Sequence, residues 1–113
     1  MKRDKYNISL YKGESFAMSV SLKDSSGLPI NLTGAVITSQ CRDNSSNALL
    51  FSFVCTPSVT PADGKFVLSL AASVSSQLTP QKNASYDVKI VWPSNEVKKY
   101  LSGNVQIFDT ITA

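Results

Sequence analysis

Apolar and polar residues alternate with a period of two along most of the chain, and turn-forming runs interrupt them about every 8–12 residues. That pattern specifies short strands with one face turned to a core. Phe16, Met18, Val20 and Leu22 alternate with Ala17, Ser19, Ser21 and Lys23, and Asp24-Ser25-Ser26-Gly27 ends this strand as a turn. After a crossing loop, Leu28 to Gly34, alternation resumes over Ala35 to Arg42. Ile37 and Cys41 face inward there, and Ser39 is a polar exception on the same side. Beyond the polar turn Asp43 to Asn47, Leu49, Phe51, Phe53 and Cys55 share one face, with Leu50 and Val54 on the other, so this strand is expected to be covered on both sides.

Pro57 and Pro61 bracket a segment unsuited to a central strand, because proline removes a ladder donor. Phe66, Leu68 and Leu70 then alternate, and Ala71 to Leu78 reads as one helical turn that crosses between sheets and ends before Thr79-Pro80. Tyr86, Val88, Ile90 and Trp92 form the best-patterned strand. The last strand, 97–108, points Leu101, Gly103, Val105 and Ile107 inward and Tyr100, Asn104, Gln106 and Phe108 outward. With Tyr6 to Leu10 as the first, seven strands result. The expected fold is an all-β, immunoglobulin-like antiparallel sandwich with one short helical turn, lacking the Cys-Trp-Cys arrangement of antibody domains. One domain spans residues 1–113, with 1–6 and 109–113 as candidate arms.

Length and composition suit one self-sufficient core: 113 residues, 42% hydrophobic and 17% charged. The net charge of +3, from 11 basic and 8 acidic residues, is too small to define a nucleic-acid footprint without clustering. Lys2, Arg3, Lys5 and Lys12 near the start and Lys98-Lys99 near the end would form one basic patch if the first and last strands are neighbours. The commoner role of such lysines is to protect strand edges. The basic start lacks the apolar run of an export signal, and no stretch is long and apolar enough for a membrane helix, so a cytoplasmic origin without membrane insertion is expected. Cys41 and Cys55 read as reduced core residues rather than a disulfide framework. Sequons at Asn7, Asn31, Asn44 and Asn83 read as chance matches in a chain rich in Ser and Asn.

The absence of histidine removes histidine-based triads, general bases and metal sites. Two cysteines cannot complete a structural zinc site, and Asp43-Asn44-Ser45-Ser46-Asn47 lacks the spacing of a calcium loop. The carboxylates fall mainly in turns or beside basic residues, and the five glycines are scattered rather than gathered in a phosphate loop. The expectation is a protein without catalytic residues, cofactor or small-molecule substrate.

Four segments carry a resemblance: Tyr11-Lys12-Gly13-Glu14-Ser15-Phe16, Asp24 through Ala35, Gly64 through Leu70, and Tyr86-Asp87-Val88. Together they resemble a family of phage virion immunoglobulin-like domains, similar to the N-terminal domain of phage baseplate upper proteins and related tail or collar modules. That family runs from a Gly-Asp or Gly-Glu opening through a long strand, a hydrophobic-Asn/Asp-Leu-Thr-Gly-Ala turn and a Gly-Lys strand to a short helical turn and a closing strand. Ser39 departs from it, where a larger apolar residue is usual. The resemblance implies a structural virion protein of a bacteriophage tail (baseplate, collar or fibre attachment), assembled in the bacterial cytoplasm. It further implies a homo-oligomeric ring that contacts other tail proteins. Tyr6, Lys98, Lys99, Tyr100 and Phe108 are the interface candidates, with Tyr100 and Phe108 as outward aromatic anchors. The alternative is a carbohydrate- or protein-binding module for host-surface recognition, which needs exposed aromatics near loops.

Overall fold

The computed structural model describes residues 4–109. Its strands are β1 (Asp4–Lys5), β2 (Ile8–Tyr11), β3 (Phe16–Ser21), β4 (Val36–Asp43), β5 (Leu49–Pro57), β6 (Lys65–Leu70), β7 (Gln81–Val91) and β8 (Val97–Phe108). A 3-10 turn at Pro61–Asp63 precedes β6, and one short helix, α1 (Ala72–Ser75), joins β6 to β7.

Two sheets share β5. In one, β4 lies between β5 and β7, β7 between β4 and β8, and β8 is flanked on its outer side by β1 and β2. In the other, β6 lies between β5 and β3. Leu49 to Phe53 pair with β4, and Val54 to Pro57 then pair with β6, so β5 changes sheets along its length. This strand order is that of an immunoglobulin-like sandwich. The inner faces meet in one core that includes Phe53, Phe66, Leu68, Tyr86, Val88, Ile90 and Val105. Phe53 sits 5.8 Å from Phe16 of the facing sheet and edge-on to Tyr86 at 5.9 Å, which links the two layers through aromatic contacts.

Buried polar groups are tied to partners. Ser39, 2% exposed, donates its hydroxyl proton to the Asp87 carbonyl at 2.7 Å, which explains a serine on the apolar side of β4. Ser75, 1% exposed, donates to the Glu14 carbonyl at 2.7 Å and accepts from the Gly13 N–H at 3.2 Å, so α1 anchors the turn that leads into β3. Trp92 is half-buried at the end of β7 and donates its indole N–H to the Asn31 carbonyl at 2.9 Å. Burial pushes the Cys41 thiol up to about 12 and the Cys55 thiol up to about 11. Both cysteines are free; Cys41 is buried and Cys55 half-buried.

Four expectations are corrected. The first strand is divided at Tyr6–Asn7 into β1 and β2, and both pieces run parallel to β8 rather than antiparallel. Residues 4–6 are therefore paired and not an arm. The Tyr6 N–H donates to the Ser102 carbonyl at 2.9 Å, and the Tyr86 hydroxyl donates to the Tyr6 carbonyl at 2.6 Å. Of the remaining arm residues, Asp109 is exposed and follows β8, and 1–3 and 110–113 lie outside the described residues. Val54 is 60% exposed whereas Leu50 is half-buried against the core, so the second side of β5 is covered near its start and open at Val54. Finally, the register of β8 shifts: Lys99 opposes Lys89 while Leu101 opposes Val88, which makes Tyr100 the extra residue of a bulge. Tyr100 and Leu101 are consequently both buried, and Val97, on the other side of the bulge, is 49% exposed. One bulge thus turns the supposed outward tyrosine into the core and an apolar residue out of it.

Candidate functional site

The outer face of the sheet around β7 can be built row by row from the register. Val36 pairs with Val91 and Val91 with Val97, which places three valines side by side across β4, β7 and β8. Val36 is 60% exposed. The next row is Thr38, Lys89 and Lys99, followed by Gln40, Asp87 and Ser102. These polar rows and Arg42, Asn44 and Asn47 line a shallow groove of about 610 Å³. Lys99 reaches Asp87 at 3.2 Å, and Arg42 donates to the Asn47 carbonyl at 3.0 Å and to Gln40 Oε1 at 3.1 Å. The valine row thus lies at the end of the three strands, with the hydrogen-bonding rows on one side of it.

The five interface candidates are not gathered into one patch. Tyr6 is 55% exposed beside the middle of β8, Lys98 is exposed, and Lys99 is held by Asp87. Tyr100 is 9% exposed and packs edge-on to Trp92 at 6.2 Å; burial, and then the Glu96 carboxylate, raises its phenol pKa. It is a core residue and not an anchor. Phe108 is half-buried at the far end of β8, stacked on Tyr11 at 5.4 Å with the Lys82 ammonium 5.9 Å above its ring. Lys98 and Phe108 are separated by nearly the whole of β8, roughly 30 Å at the rise of an extended strand. The basic residues are spread in the same way: Lys5 pairs opposite Ser102, and the Lys12 N–H donates to the Phe108 carbonyl at 3.0 Å, so the two lie at different heights along β8. Lys2 and Arg3 lie outside the described residues.

Sequence reading missed the valine row because Val97 keeps the inward parity of Leu101 until the bulge is known. Val36 and Val91 were legible, since each is an apolar residue on the polar parity of its strand. The Asp43 to Asn47 loop closes on itself: Asp43 Oδ1 accepts from the Ser45 N–H at 2.7 Å and the Ser46 N–H at 3.3 Å. Among the described residues no helix is long and apolar enough to cross a membrane.

No protein-family model matches the chain, and no curated protein matches its sequence. Solved structures with weak similarity include an IG1–IG1 heterodimer of ZIG-8 and RIG-5, at 12% identity and TM-score 0.41, covering 93% of this chain and 83% of that one. A second is the extracellular domain of the voltage-gated sodium channel beta4 subunit, seen as a parallel homodimer, at 10% identity and TM-score 0.42, covering 95% and 93%. A third, from a study of cell-adhesive interactions of sodium-channel beta subunits, has 14% identity and TM-score 0.39, covering 94% and 93%. By its own strand order the chain is an all-β, immunoglobulin-like sandwich.

Proposed function

We propose that the chain acts by protein–protein assembly, as a non-enzymatic structural component of a bacteriophage tail put together in the bacterial cytoplasm. The observation that carries the assembly part is the valine row Val36–Val91–Val97, exposed at Val36 and Val97 and half-buried at Val91, because apolar residues adjacent on a sheet face are best removed from water by a partner surface. The tail component rests on the four sequence segments that resemble phage virion domains. The alternative, a carbohydrate- or protein-binding module for host-surface recognition, loses support from the two aromatics named for it, since Tyr100 is withdrawn into the core and one side of Phe108 is taken up by Tyr11.

Quantitative mass spectrometry of purified particles tests the proposal. The expected result is this chain at a fixed multiple of three or six relative to a single-copy tail part, as rotational symmetry of a ring demands. Absence from particles would overturn the virion reading.

A further inference from the structure

The edge of the second sheet is open. Among the described residues β3 pairs with β6 alone. The Leu22 N–H donates to the Gly64 carbonyl on the β6 side at 2.9 Å. By alternation Val20, Met18 and Phe16 also direct their backbone groups toward β6, while Ala17, Ser19 and Ser21 direct N–H and C=O away from the sheet. The core is incompletely closed here, because the inward side chains Phe16, Met18 and Val20 are only half-buried. Sheet edges are ordinarily guarded by lysine, proline or a bulge, and β3 contains none of these.

We infer that β3 pairs antiparallel with β3 of a second copy of this chain, about a two-fold axis through Met18. In that register Ala17 of one copy faces Ser19 of the other, and the reciprocal pair repeats the contact, so their outward N–H and C=O groups bond across the axis. Phe16 meets Val20, and Met18 meets its own equivalent, which covers the exposed flank of the core. Charge favours this occupant. Ser15 to Leu22 carry no charge, so the axis brings no like charges together. At the two ends Glu14 of one copy comes near Lys23 of the other. The outer face near the axis is made of small or neutral side chains, Ala17, Ser19, Ser21, Val67 and Ser69, so the joined sheet of three strands from each copy is not crowded.

Sedimentation equilibrium of the full chain and three variants tests this register. The unaltered chain should pass from monomer to dimer as its concentration is raised to about 1 mM. Ala17→Lys/Ser19→Lys places like charges opposite each other twice and should weaken dimerisation about tenfold or more, as should Ala17→Glu/Ser19→Glu. Mixing these two variants, or combining the charges in one chain as Ala17→Lys/Ser19→Glu, should restore the dimer. Both positions are exposed, and an unchanged circular dichroism spectrum and Tm confirm that each variant folds. A monomeric chain at all concentrations would overturn the inference, as would a dimer insensitive to the like-charge variants. Either result leaves the particle experiment untouched, because that experiment does not depend on β3.

Discussion

β7 and β3 carry the same alternating pattern, yet they occupy opposite situations. β7 has a strand on each side, and its inward residues Ala84, Val88 and Ile90 are 0% exposed. Among the described residues β3 has one neighbour, and its inward Phe16, Met18 and Val20 remain half in solvent. Alternation decides which face of a strand looks inward, whereas strand order decides whether that face is sealed. The first is local chemistry, written in the sequence, and the second is set by long-range pairing. The contrast is between an inner face sealed on both sides at β7, whose outer face carries the valine row, and an edge at β3 that has a partner on one side only among the described residues.

The sharpest way to break this comparison is to shorten one inward side chain in each strand. Ile90→Ala should cost about 3–4 kcal/mol in urea unfolding, as expected for a cavity in a site that cannot relax. Val20→Ala in the monomer should cost about 1 kcal/mol or less, because water already reaches that position. Equal losses at the two sites would contradict the distinction.

Gly103→Ala examines how tightly the β8 side is sealed. A Cβ there would collide with the Tyr6 carbonyl and press on the Tyr86 ring at 3.2 Å. A loss of about 2 kcal/mol is expected, with faster amide exchange at Tyr6, whose N–H is pinned to Ser102. A neutral substitution would show that the N-terminal strands do not close this sheet.

The two cysteines compare the sheets more gently. Below about pH 9, the ordinary thiol value, both are protonated folded or unfolded. Above it the unfolded chain releases protons that the folded chain retains, so stability falls with rising pH until about 11 for Cys55 and about 12 for Cys41. For Cys41 the slope is about 1.4 kcal/mol per pH unit, and Cys41→Ala should remove that share of the alkaline loss. In the folded protein at pH 8, iodoacetamide should label Cys55, half-buried in the strand shared by both sheets, before the fully buried Cys41.

Much of the fold was legible in the sequence. Strand faces, the turn at Asp43 to Asn47 and the crossing helix at α1 follow from periodicity and turn chemistry, both local signals. The misreadings share a cause: they depend on pairing between distant residues. Nothing near Tyr100 announces the bulge opposite Val88 and Lys89 that buries it and exposes Val97. The parallel pairing of β1 and β2 with β8 is likewise invisible to alternation, and so is the change of sheet that leaves Val54 exposed. Of the candidate site, Val36 and Val91 were readable as apolar residues on a polar parity. The significance of β3 became visible only when its second neighbour proved to be missing.

Amide hydrogen exchange, followed residue by residue at a concentration where the chain is monomeric, tests the sealed and open sheets most directly. Ala17, Ser19 and Ser21 should exchange rapidly, while Val88 and Ile90 on β7 should exchange only through global unfolding. Protection at Ala17, Ser19 and Ser21 equal to that at Ile90 in the monomer would contradict the account, because it would mean that the β3 edge is already covered.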